Sequence, residues 1–241
     1  MKVLLLNQNF FRYFLLTLPE IPFILRPKNH YLHQMYALFL YIRLTFLILL
    51  SVGFSVHEKV KLPIQIGDRD SVQNLHLTEI GKFGITRKAR PGIPKHLHTG
   101  IDIKRPHPVY DQPQYLFPIA KGTVISKRED GPFAQLIIAH KSEESTFWTV
   151  YEHIAEIKVA LFQPVDPDQP LARFFNKSEL DAYGWQFDHF HFEILKERPY
   201  PIAPSSKNPE RRHASYTLVC YDQQTLEKYF YHPLEFLQDR L

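Results

Sequence analysis

Four histidines and one aspartate carry the residue types that bind and use a metal ion: His98 and Asp102 in HTGID, His153 in VYEHI, and His189 with His191 in DHFHFEI. Imidazole nitrogen and carboxylate oxygen are donors that a catalytic zinc ion takes, usually three from the protein with one position left open. Five candidates exceed the three needed, and the two left over are suited to the proton transfers that accompany attack of water on a carbonyl. Cys220 is the single cysteine, which excludes an intramolecular disulfide and a thiolate-built zinc site. Nitrogen and oxygen must supply the ligands.

The spacing gives this set a geometry. Residues two apart on a strand share a face, so His189 and His191 project into one groove while Phe190 and Phe192 fill the other side. His98 and Asp102 lie four apart, roughly 13 Å if fully extended, so the chain must bend between them, and Gly100 is expected to supply the backbone freedom. His153 closes an apolar run from which its ring can reach the same groove. Either motif alone is weak, since an HxH pair also marks a solvated strand face and HxxxD recurs by chance; their joint appearance carries the inference. His96, His107, His140 and His213 have no comparable partners and are assigned surface or ordinary hydrogen-bonding roles. Asp188 points away from the His189 face and is not expected to orient it. Trp148, Trp185 and the phenylalanines are read as core or groove wall, and Cys220 as a small buried apolar residue.

The elements that must position these residues read as short strands. Leu116 to Ser126, Phe133 to His140, Thr146 to His153 and His189 to Leu195 are rich in β-branched and aromatic residues, and turn signals at Asp130-Gly131-Pro132 and Lys141 to Glu144 separate the middle runs. The Pro-rich stretches Gln163 to Pro170 and Arg198 to Pro209 are expected as loops or insertions. Tyr216 to Tyr221 reads as a further strand, Gln223 to Tyr229 as a short helix, and a last turn follows Pro233. The fold class is therefore mainly β, an antiparallel sheet with a groove-type zinc site and few short helices, preceded by an N-terminal signal or anchor segment.

A chain of 241 residues, 44% hydrophobic and 22% charged, can bury one substantial core. Its net charge of +4 is scattered, without a basic run interleaved with aromatics, so no nucleic-acid partner is expected. Leu44 to Val56 is uncharged, follows Arg43 and has the length of a signal-peptide apolar region; the excess of Lys and Arg before it keeps that end in the cytoplasm and sends the rest across. A membrane anchor through residues 36–56 is the competitor, at a cost of roughly 2.5 to 3.5 kcal/mol for a central Arg43. Met35 opens a compact positively charged lead-in, so translation is expected to start there. The expected organisation is residues 1–56 as N-terminal extension, 57–79 as linker or pro-segment and 80–241 as the catalytic domain, exported to the periplasm or cell envelope.

HLHTGIDIK, PIAKGTVIS, VYEHIAEI and HFHFEI, in this order, resemble the lysostaphin-type zinc metallopeptidases, which cut the peptide part of bacterial peptidoglycan. The resemblance covers roughly residues 80 to 196. It places the family's HxxxD on His98 and Asp102, its strand with Ala and Gly before a valine on Ala120, Gly122 and Val124, its Tyr-x-His on Tyr151 and His153, and its HxH on His189 and His191. It implies that His98, Asp102 and His191 hold zinc and that His153 and His189 are the catalytic pair, with peptidoglycan peptide as substrate and a zinc-activated water as nucleophile. SELDAYGWQFD, bulkier and more acidic than the family's usual approach to HxH, and the extra segment Lys196 to Ala214, a lid or a surface loop, depart from the pattern. Three other readings remain: a catalytically silent wall-binding regulator, a zinc peptidase acting on a protein, and a metal-free structural domain.

Overall fold

A computed structural model of the protein describes residue 38 and residues 41–43, 59–141 and 146–241. The chain divides into two compact units, Met1–Ser55 and Val56–Leu241, and the second is described from here on. The apolar run 44–56, Met35 and the turn after Lys141 lie outside the described residues. Among the described residues no helix is long and apolar enough to cross a membrane.

Seven strands form the central sheet: β1 (Ile101–Lys104), β2 (Gly122–Arg128), β3 (Gln135–Lys141), β4 (Thr146–Glu152), β5 (Pro164–Val165), β6 (His189–Leu195) and β7 (Phe230–Tyr231). The order is β7-β6-β4-β3-β2-β5, with β1 also paired to β6, and every pairing is antiparallel. One edge of β6 runs along β4, while its other edge is shared, β1 taking His189 to Phe192 and β7 taking Ile194 and Leu195. Three short helices complete the described unit: α1 (Lys177–Tyr183), α2 (Gln223–Tyr229) and α3 (Pro233–Gln238). The architecture is mainly antiparallel β with few short helices, as the strand pattern predicted.

Alternation along β6 separates two faces. Phe190, Phe192 and Ile194 enter the main core with Tyr151, Ile103 and Leu136, all with almost no exposure. Leu195, at the far end of the opposite face, packs with Ile137, Val150, Cys220, Leu226 and Phe230. The sheet is thus covered on one side throughout and on the other at one end only; His189 and His191 occupy the remaining part of that second side. The described part of residues 57–79, expected as linker or pro-segment, contributes Val60, Leu62 and Ile64 to the main core.

Several expectations are corrected. Tyr216 to Tyr221 is not a strand; Thr217–Val219 form a 3-10 turn in which Leu218 and Val219 are exposed, and Cys220, just after it, is fully buried. The run from Leu116 to Ser126 is broken: Tyr115–Leu116 pairs with Ala172–Arg173 before β2 begins at Gly122. Pro164 and Pro201 do enter strands, each in a two-residue pairing, where a missing N–H costs little. Lys196 to Ala214 is not a free lid. Its hairpin, Tyr200–Pro201 against His213–Ala214, is pinned to β2 by Ser126 Oγ, which accepts from the amides of Arg212 (3.0 Å) and His213 (3.1 Å).

Candidate metal centre and groove

Register assembles the site. Asp102 on β1 is the direct cross-strand partner of His191 on β6, so their side chains leave the sheet side by side on one face. The same row continues on the other side of β6 through Glu152 on β4 to Gln135 on β3, whose amide donates to the Glu152 carboxylate at 2.6 Å. The groove floor is therefore polar away from the histidines as well.

His98 sits just before β1. Its amide donates to Ile85 O and its carbonyl accepts from Gly84 N, both at 2.8 Å, so residues 84–85 hold it against the sheet. Gly100 does not serve through a left-handed backbone, for it is absent from the positive-φ residues. A Cβ there would stand 2.3 Å from Phe192 O and 2.9 Å from His191 Cε1. The glycine is needed because β6 passes too close for any side chain.

Three donor atoms converge. His98 Nε2 lies 2.9 Å from His191 Nδ1 and 3.1 Å from Asp102 Oδ1, and His191 Nδ1 lies 3.0 Å from the same oxygen. Zinc bonds of 2.0 to 2.2 Å in a tetrahedron give ligand separations of about 3.3 to 3.6 Å, so this triangle is slightly tighter than one face of such a tetrahedron and could hold a metal ion. The outer partners settle which nitrogens carry protons. Lys82 O can only accept, so His98 Nδ1 donates to it at 2.9 Å; the Glu193 carboxylate faces His191 Nε2 at 3.0 Å and takes that proton. Neutral His98 and His191 then present a lone pair each toward a carboxylate oxygen, an arrangement that calls for a cation at its centre. Without a metal a proton takes that part. The paired carboxylates of Asp102 and Glu193 overcome burial and raise His191 to about 10, while Asp102, hydrogen-bonded to His191 and His98 despite its burial, stays well below the usual carboxylate range.

His153 and His189 lie beside this triangle with their rings 5.3 Å apart and nearly perpendicular. His153 follows the end of β4 in a left-handed conformation, φ 62°, and its Nδ1 donates to Pro132 O at 2.6 Å, leaving Nε2 as an acceptor. Nε2 of His189 stands 3.7 Å from Asp102 Oδ1, beyond hydrogen-bond range. Burial lowers both, His189 to about 4, which keeps the pair neutral near pH 7. Phe187 packs on the His153 ring at 4.9 Å between centroids, with Phe133 also against it. The segment that carries Phe187 is the SELDAYGWQFD departure, folded as α1 and a 3-10 turn over the groove.

All five histidine and aspartate positions singled out in the sequence are therefore brought to one place. Asp188 is occupied elsewhere, accepting from Arg105 Nε and Tyr110 Oη, both at 2.9 Å. His140, His96 and His213 hydrogen-bond to backbone carbonyls. Sequence reasoning missed the supporting partners. The carbonyl of Lys82 left no signal, while Arg87, whose Nη2 donates to Asp102 Oδ2, sits on a hairpin that the Pro91-Gly92 turn could have announced. Glu193 did leave one: the period of two that pairs His189 with His191 continues to it.

No family model and no curated protein matches the chain. Solved structures to which it is similar include a zinc-containing peptidase from Vibrio cholerae (23% identity, TM-score 0.40, 57% of this chain and 37% of that one). Lysostaphin is another (13% identity, TM-score 0.45, 77% of this chain and 56% of that one). A third is the SpoIIQ–SpoIIIAH pore-forming complex (18% identity, TM-score 0.38, 71% of this chain and 97% of that one). The chain thus spans little more than a third of the Vibrio peptidase and about half of lysostaphin. The family suggested by the motifs is represented among these structures; the TM-scores are below 0.5, and the chemistry of the site is read from its own geometry.

Proposed function

We propose that the protein is an exported zinc metalloendopeptidase that hydrolyses peptide cross-links of bacterial peptidoglycan. The observation that carries this reading is the convergence of His98 Nε2, Asp102 Oδ1 and His191 Nδ1 within 3.1 Å of one another, with two further half-buried histidines alongside. The donor set fits zinc in number, type and spacing, and those three residues would hold it. Zinc bound there supplies a Lewis acid for the scissile carbonyl and acidifies a water molecule. His153, with Nδ1–H committed to Pro132 O, offers Nε2 to take a proton. His189, whose Nε2 stands 3.7 Å from Asp102 Oδ1, donates to the developing oxyanion or to the leaving amine. The substrate class comes from the four-motif resemblance, and export to the periplasm from the charge pattern around residues 44–56.

The test is incubation of the purified protein, with and without zinc, with peptidoglycan sacculi, followed by mass spectrometry of released muropeptides. New free amines that depend on zinc and vanish in His189→Ala support the endopeptidase and identify the bond. One observation favours a second reading, a catalytically silent wall-binding regulator: Phe187 covers the His153 ring. Binding to sacculi without release, at full zinc occupancy, would select it.

A further inference from the structure

Glu193 is 1% exposed, yet it forms no ion pair with any lysine or arginine among the described residues; its one ionic contact is His191 Nε2 at 3.0 Å. Its Oε1 gathers three donors: that ring nitrogen, Thr99 Oγ1 and, at 2.6 Å, Thr217 Oγ1. Oε2 is buried without a partner. A carboxylate so placed is costly unless a positive charge faces it. The charge that could face it lies across the imidazole, where His191 Nδ1 meets His98 and Asp102.

Resting on the zinc reading above, we propose that Glu193 is the positioning residue of the metal centre, and that through Thr217 it makes the C-terminal segment part of that centre. A carboxylate accepts only, so it holds the His191 proton on Nε2 and keeps the Nδ1 lone pair toward the metal. A glutamine could turn its amide to the ring, donate to Nε2 and move the proton to Nδ1, where it blocks binding. Thr217 opens the 3-10 turn Thr217–Val219, and that turn is tied to the metal-ligand segment a second time, Leu97 N donating to Cys220 O at 2.8 Å. Docking of this turn orients Glu193, Glu193 orients His191, and metal binding in turn favours the docked turn.

The experiment measures zinc affinity by chelator competition on the full chain, for the wild type, Glu193→Gln and Thr217→Val, together with the melting temperature of each metal-free protein. Imidazole nitrogen NMR shifts, taken with zinc bound so that Nδ1 carries no proton in the wild type, report the His191 tautomer. Expected is a loss of zinc affinity of about 10- to 100-fold in Glu193→Gln, with mixed His191 tautomers, and a smaller loss, about 3- to 10-fold, in Thr217→Val from one hydrogen bond. A merely structural role lowers the metal-free melting temperature and leaves zinc affinity within twofold, which overturns the proposal while wild-type zinc binding still stands. Failure of wild type to hold zinc more tightly than His98→Ala overturns the metal reading and this proposal together. If Glu193→Gln does not fold, Thr217→Val decides by the same measurement.

Discussion

Arg87 donates to Asp102 Oδ2 while Asp102 Oδ1 faces the imidazoles of His98 and His191, so the two oxygens of one carboxylate have divided duties. The guanidinium occupies one carboxylate oxygen, leaves the other for the histidine side and balances the charge. Arg87 is placed by pairing of Thr86–Arg87 with His96–Leu97, next to His98. Replacing it by Met should lower zinc affinity about tenfold with the fold intact. Chelator competition beside a circular dichroism spectrum checks this, and unchanged affinity would mean that the Asp102 rotamer is held by the sheet alone.

Ligands and proton carriers should separate cleanly on substitution. His98→Ala, Asp102→Ala and His191→Ala each remove one corner of the converging triangle, so zinc content and hydrolysis are expected to fall together. His153→Ala and His189→Ala leave that triangle intact. They should retain stoichiometric zinc and lose turnover by about 10²- to 10⁴-fold. Metal analysis paired with muropeptide release distinguishes the groups, and full turnover in either histidine variant contradicts the assigned roles.

What the sequence disclosed and what it hid follow from where each signal resides. Period-two alternation was enough to place His189, His191, Phe190 and Phe192 on their proper faces, and Gln223 to Tyr229 read as the helix that forms. Helix α1 was overlooked although Asn176 and Glu179 spell a capping box, each side chain bonded to the other residue's amide. Tyr216 to Tyr221 was misread because a run of apolar residues implies a strand only if a neighbour can cover it, and here Leu218, Val219 and Tyr221 face solvent. Arg87 reaches Asp102 through a local hairpin, Thr86–Arg87 against His96–Leu97, whose Pro91-Gly92 turn was a readable signal, whereas the contact of the Lys82 carbonyl with His98 depends on no local pattern.

Gly100 offers a sharper steric test than most core positions. A methyl group there meets a backbone carbonyl, Phe192 O at 2.3 Å, and a ring atom, His191 Cε1 at 2.9 Å. Neither is the free end of a flexible side chain, so β1 and β6 must move apart. Gly100→Ala should destabilise the fold by about 1–3 kcal/mol and weaken zinc binding as well. Denaturant unfolding and zinc competition should both register it; a variant stable and zinc-replete as wild type would show that the strands can shift without cost.

His140 predicts a pH dependence away from the metal site. It is fully buried on β3, where Nδ1 meets Lys121 O at 2.9 Å, Nε2 meets Thr149 Oγ1 at 2.8 Å, and the ring stacks on Phe147 at 4.7 Å. The carbonyl fixes the proton on Nδ1, and the hydroxyl donates to Nε2, so both nitrogens are satisfied only in the neutral form. Burial lowers the group to about 4 from its ordinary 6.5. Because the folded value is depressed, the unfolded chain takes up a proton first as the pH falls. The neutral ring's contribution is complete above about pH 6.5 and is lost progressively toward pH 4, on the order of 3 kcal/mol at the limit. His140→Gln removes the titration and leaves a polar group of similar reach. The variant should be less stable at pH 7, yet its unfolding free energy should fall less steeply between pH 6.5 and 4 than that of the wild type. Parallel curves in urea titrations across that range would show that His140 is protonated without strain in the folded protein.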